Sequence, residues 1–288
     1  MPGTTDGSPR ARVLGAWLRD AREAKDIGTR ELGRMLEIPH TYISRWENAE
    51  RMPRPEDVSM VLTALGVNGS ARERLVKLAQ ATTEPNWVAL GEPGASEALT
   101  ALLEFEATAN TVVDWSPSVI PGLLQTGDYA RAIMHGYGAP QQEITPRVRV
   151  RIGRREVLTR RDPAPVELHA LIGQEALRQV IGGAEVMADQ LRQVVRFAEL
   201  PAVTVQVVPT GEGWHPGLAG PFELLKFETG RPIVLLEHLR SSLFLYEQEE
   251  DLQAYVSGAA RLARLAMSPT DSVELIAEVA NTLERTKL

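Results

Sequence analysis

Cysteine does not occur in the 288 residues. Its absence excludes a disulfide framework and any thiolate metal site, and a reducing compartment suits such a chain. No apolar run approaches the roughly 20 residues needed to span a bilayer. The opening MPGTTDGSPR lacks the apolar stretch of a secretory signal. The cytoplasm is the expected location. The histidines are His40, His135, His169, His215 and His238, and no two share i, i+4 spacing on one helix. A zinc site is therefore not expected. Neither a G-x-S-x-G elbow nor a phosphate-binding glycine loop is present. The expectation is a protein without a cofactor that is not an enzyme.

Charge is unevenly spread. The chain carries a net -7, with 31 Lys and Arg against 38 Asp and Glu. Residues 1–80 hold 13 basic and 11 acidic side chains, and residues 81–288 hold 18 and 27. A slightly basic head on an acidic body suits a protein whose head alone meets phosphate. Hydrophobic residues at 43% and charged residues at 24% are ordinary globular proportions, and the length accommodates two domains.

The pattern along the chain predicts a multidomain protein. Residues 1–10 are rich in Pro, Gly, Ser and Thr and are expected to be a disordered tail. Residues 11–81 read as an all-α head of five short helices. Val13, Leu14, Trp17, Leu18 and Ala21 share one face of the first. Thr29 suits the N-cap of the second, which runs to about Leu36, and Pro39 suits the first turn of the third. Residues 82–96 are rich in helix breakers and read as a linker. Residues 97–288 read as an α/β (α+β) body, a small sheet flanked by helices. Its predicted strands are Val166–Leu171, Ala202–Pro209, Phe222–Phe227 and Ile233–Leu239, short and bounded by Pro or Gly. Its predicted helices span about 99–111, 127–137, 144–160, 185–199, 247–266 and 270–285.

The stretch TRELGRMLEIPHTYISRWENAERMPRPEDVSMVLTAL, Thr29 to Leu65, carries the functional signal. Two short helices pack across a tight turn, with Gly33 where their backbones approach and Ile43 and Trp46 in the core beneath. His40, Thr41, Ser44 and Arg45 must then face outward from the second helix of the pair. A helix about 10–12 Å across fits a major groove about 12 Å wide. Arg45 can pair bidentately with guanine, and His40, Thr41 and Ser44 can donate or accept at base edges. Thr29 and Arg30 start the preceding helix and can reach phosphate. Asn48, Arg51 and Arg54 follow the reading helix and can hold further phosphates. An ordinary helical bundle with a polar wet face would share the same spacing.

This stretch resembles the Xre, or lambda-repressor-like, helix-turn-helix family. Ile43, Ser44, Glu47, Asn48, Ala49, Pro53 and the run Ala64-Leu65-Gly66-Val67 carry the likeness, which covers about residues 12–80. It departs from the family pattern at two places. Glu37 stands in the turn, and Ala49 follows Asn48, where Gly is usual. The body is similar to a domain of unsettled role found in actinobacterial antitoxin-like regulators. That likeness rests on Leu102–Glu106, VIPGLLQTGDYARA (119–132), RVRVRIGRREVL (147–158), Met187–Leu191 and Val203–Pro209. The resemblance implies a transcriptional regulator that binds double-stranded DNA, with a body that senses, dimerises or binds a partner, and often a small acidic partner protein. Because one small module covers limited DNA, a homodimer is expected. The alternatives are a protein-partner-binding module with subordinate DNA binding, or a small-molecule-sensing repressor.

Three further signals lie in the body. Gln125 and Thr126 sit in PGLLQTGD as candidate ligand or partner contacts, or as the capping groups of a tight turn. Trp214 lies in GEGWHPG (211–217), a loop with a candidate stacking group. Arg147, Arg149, Arg151, Arg154, Arg155, Arg160 and Arg161 form a dense basic run. Ile144, Val148 and Ile152 give that helix an apolar stripe, so self-pairing with the acidic body is the favoured reading over a second anion contact.

Overall fold

The computed structural model describes residues 9–80, 87–90, 96–228, 231–238, 241–246 and 248–285. The head forms five helices: α1 (Pro9–Glu23), α2 (Thr29–Met35), α3 (His40–Glu47), α4 (Pro55–Ala64) and α5 (Gly69–Gln80). The apolar residues at helical spacing meet in one core. Leu14 and Leu18 of α1, Leu32 of α2, Ile43 and Trp46 of α3, Val58, Val61 and Leu62 of α4 and Leu75 of α5 are all buried there. Helix starts differ slightly from expectation. Gly28, not Thr29, is the N-cap of α2, and Pro39 precedes α3 as its N-cap. Thr29 is the first helical residue, so its hydroxyl is not used as the cap.

Of the expected disordered tail, residues 1–10, residues 1–8 lie outside the described part, and Pro9 and Arg10 already belong to α1. Within the expected linker, residues 82–86 and 91–95 lie outside the described residues, while Trp87–Leu90 form strand β1. Helix α6 (Ser96–Thr108) follows, then β2 (Thr111–Ser116), α7 (Gly127–Gly136), α8 (Gln141–Gly153), β3 (Glu167–Gly173), α9 (Ala184–Phe197) and β4 (Val203–Val208). The chain continues through β5 (Phe222–Lys226), β6 (Ile233–His238), β7 (Ser241–Leu245), α10 (Glu249–Leu265) and α11 (Pro269–Arg285). The fold is a helical head followed by an α+β body with a mixed sheet.

The chain divides into two compact units, residues 1–105 with 240–248, and residues 106–239 with 249–288. In the first, β1 and β7 pair antiparallel, and Phe105 packs edge-to-face on Phe244 at 5.5 Å. In the second, strands run β6-β5-β2-β3-β4. Strands β2, β3 and β4 are parallel, which requires long crossovers, and α7–α8 and α9 fill them. Strand β5 is antiparallel to both β2 and β6.

Strand alternation sorts this sheet into two faces. One carries Val113, Trp115, Phe222 and Leu224. Trp115 donates its indole N–H to Gly217 O at 2.9 Å, and Phe222 meets Tyr255 of α10 edge-on. The other carries Val112, Asp114 and Ser116 of β2, Glu223 and Leu225 of β5, and Leu235 and Glu237 of β6. Leu168, Ala170 and Ile172 of β3 extend that face with buried apolar groups.

Candidate nucleic-acid interface

The placement of α3 is set by the joint between α2 and α3. A Cβ on Gly33 would stand 2.9 Å from Ile38 O and 3.1 Å from the backbone of His40. Only glycine lets the two backbones approach so closely. Ile38 N–H donates to Gly33 O at 3.0 Å and closes the turn. Glu37 takes φ +53° there, and Ala49 takes φ +56° just beyond α3. Both are the left-handed conformation that glycine accepts most readily.

Helix α3 buries Ile43, Trp46 and Glu47. With those three inward, His40, Thr41 and Arg45 stand exposed on the opposite face. Ser44 is half-buried, and its hydroxyl accepts from Asn48 Nδ2 at 3.4 Å. Asn48 Oδ1 also accepts from Arg19 at 3.2 Å. Tyr42 points to solvent, with the Arg51 guanidinium 5.2 Å above its ring. Arg54 is exposed and pairs with Asp57 at 3.1 Å, and its own backbone N–H donates to the same carboxylate. Arg30 is exposed on the first turn of α2, and Thr29 beside it is half-exposed. The four base-reading candidates thus share one helix. The phosphate candidates lie on its two flanks, with Asn48, Arg51 and Arg54 each already holding an intramolecular contact.

A residue pair that sequence reasoning passed over orients this helix. Arg22 of α1 donates through Nε and Nη2 to the two carboxylate oxygens of Glu47, at 2.7 and 2.8 Å. The side chains are only 11% and 5% exposed. Arg22 also donates to Ile27 O at 2.8 Å, and its hydrogen bonds to Glu47 hold its charge more firmly than usual. The signal was present as a charged residue following the apolar stripe of α1, and a carboxylate on the inner face of α3.

Residues 99–278 match the family described as Domain of unknown function (DUF5753), well over half of the chain. The chain belongs to that family. Residues 13–75 match a Helix-turn-helix domain, which places most of α1, all of α2 to α4 and most of α5 within it. No curated protein matches the sequence. Two solved structures are distantly similar. One is TrmBL2, an archaeal chromatin protein described as showing a novel mode of DNA binding, at 11% identity and TM-score 0.31 over 84% of this chain and 88% of that one. The other is a phosphatidylserine synthase from Haemophilus influenzae, at 11% identity and TM-score 0.35 over 82% of this chain and 54% of that one. Likeness at that level carries no argument.

In the DUF5753 body, the fold itself occupies the polar groups of the PGLLQT motif. Gln125 is buried, donates to Ile120 O at 2.8 Å and accepts from Arg151 at 3.4 Å. Thr126 is the N-cap of α7, its hydroxyl accepting from Tyr129 N–H. Trp214 is 70% exposed, with the Arg261 guanidinium 5.7 Å from its ring. The basic run divides. Arg147 pairs with Glu143 one turn away, and Arg160 donates to Ala107 O at 2.6 Å. Arg154 is buried and forms a bidentate pair with Glu106 at 2.6 and 2.8 Å. Burial opposes the Arg154 charge, but Glu106 outweighs it and holds the guanidinium protonated.

Proposed function

We propose that this chain is a sequence-specific DNA-binding transcriptional regulator that reads the major groove with α3. The observation that carries the proposal is the pairing of an exposed His40, Thr41 and Arg45 with an inward Ile43, Trp46 and Glu47 on one helix. The match of residues 13–75 to a helix-turn-helix domain supports it. Arg45 would read guanine, and Arg30 would hold phosphate. Two copies would act together on half-sites about 34–36 Å apart, because one small module buries too little DNA surface for genomic selectivity. The body would regulate the head and would carry no catalysis of its own.

Selection from random DNA duplexes should enrich one site. On it, Arg45→Ala should lose about 1–3 kcal/mol while non-specific binding stays nearly intact. Arg30→Ala should weaken binding on all sequences alike and shallow the salt dependence. Failure to enrich any site, or equal loss for Arg45→Ala on selected and random DNA, defeats the reading.

A further inference from the structure

We infer that the sheet face bearing Asp114, Glu223 and Glu237 is a binding site for a small organic cation, a protonated amine seated between Asp114 and Glu223. The site lies within residues 106–239 and stands whether or not the head reads DNA.

Asp114 of β2 and Glu223 of β5 are direct cross-strand partners. Side chains so placed have Cβ atoms about 4.5–5.5 Å apart, and like charges there are destabilising. Glu237 lies on the same face of β6, two residues beyond Leu235, the partner of Glu223. Glu106 comes near too, but Arg154 engages both its oxygens. Around that pair stand three further carboxylates and one further guanidinium: Arg154 also acts on Asp114 and Glu223, and Arg151 meets the charges of Glu237, Glu106 and Glu223. The hydrogen bond of Arg151 runs to Gln125. The site therefore carries an uncompensated negative charge when ionised.

One of its oxygens also lacks a donor. Asp114 accepts from the Ser116 hydroxyl at 2.7 Å. Glu223 Oε1 is fully buried and meets no hydrogen-bond donor. A buried acceptor without a donor is a substantial penalty that a native fold seldom leaves standing. A ligand with a positive charge and several N–H donors supplies both missing things, and an ammonium group offers three donors. Among the described residues no group of three or more His, Cys, Asp or Glu side chains is arranged to hold a metal ion. Glu237 is exposed and Arg151 partly so, which leaves the rim open to solvent. Without a ligand the alternative remedy is a proton. Burial pushes Asp114 up to about 6 and Glu223 well above the usual carboxylate range.

The test uses the full chain. Thermal denaturation and titration calorimetry at pH about 8 are run with n-butylamine, putrescine and agmatine as hydrochlorides, against sodium chloride of equal ionic strength. At least one amine should stabilise saturably beyond the salt control. Its affinity should fall about tenfold or more in both Asp114→Asn and Glu223→Gln. These near-isosteric changes remove repulsion, so the variants should fold, and circular dichroism checks that they do. The inference is overturned if none of the three amines binds beyond the salt effect, or if binding survives both substitutions. It is equally overturned if Glu223→Gln stabilises the protein while the unsubstituted chain binds no amine, since a proton then suffices.

Discussion

Replacing Arg22 by alanine should destabilise the head by about 3–5 kcal/mol, because it strands a buried carboxylate. The two bonds to Glu47 are short, at 2.7 and 2.8 Å, and the side chains are nearly sealed from water. The substitution also removes the donor to Ile27 O. A head of this size has total stability of only several kcal/mol, on the order of 0.05–0.15 kcal/mol per residue. The loss would consume most of it. Glu47 lies on the inner face of α3, so α3 would lose its anchor to α1. Replacing both partners by apolar groups, Arg22→Met with Glu47→Leu, removes the stranded charge and should return stability to within about 1 kcal/mol of the parent. Urea unfolding of the full chain reports this through the fluorescence of Trp46, buried in the head core. The reasoning fails if Arg22→Ala costs less than about 1 kcal/mol, as a surface pair would. It also fails if the double substitution is as damaging as the single one.

Glu37→Gly should be neutral to stabilising by up to about 1 kcal/mol. It relieves a left-handed penalty of about 1–2 kcal/mol at φ +53° against glycine's added unfolded-state entropy. A clear drop in the urea midpoint would contradict it. Gly33→Ala should destabilise by about 1–3 kcal/mol, since its Cβ would lie 2.9 Å from Ile38 O, and unchanged unfolding would show that the joint can give. Asp114 sits near 6 in the folded chain and near 4 when unfolded, so between those pH values the folded chain keeps a proton that the unfolded chain releases. Its stabilising contribution is present below pH about 4 and is lost as pH rises through about 6. Asp114→Asn should therefore gain about 3 kcal/mol relative to the parent between pH about 4 and 7, and parallel stability–pH curves would refute this.

What the sequence revealed was local, and what it hid was long-range. The head was readable because Leu14, Leu18, Ile43, Trp46 and Leu62 repeat at helical spacing, and the turn was readable because Gly33 has a steric task. The helices α7, α9, α10 and α11 follow within a few residues from the same spacing, and the strands β3 to β6 from short β-branched runs bounded by Pro or Gly. Strand β2 was missed. Its run TVVDWS places a carboxylate on a buried face, opposite Glu223 of β5 and within the field of Arg154. Strand β1 was hidden in a segment rich in Pro and Gly, and β7 opens on two serines, one of them buried. Ion pairs were the least legible part of the structure. Arg22 and Glu47 are 25 residues apart, and Glu106 and Arg154 are 48 apart, so no window of local sequence contains either pair.

Gln190 of α9 accepts from Thr126 N–H at 2.6 Å and donates to Leu124 O at 2.8 Å, as a neighbouring peptide group would. It thereby completes the turn between Pro121 and Thr126 from 64 residues downstream. During synthesis that turn leaves the ribosome well before its second half exists. At about 5–20 residues per second the wait is on the order of 3–13 seconds. Throughout that time Leu124 O and Thr126 N–H can pair only with water or with a wrong partner. The segment between β2 and β3 therefore reaches its final form only after α9 has been made, and the order of translation sets the earliest moment at which this part of the body can close.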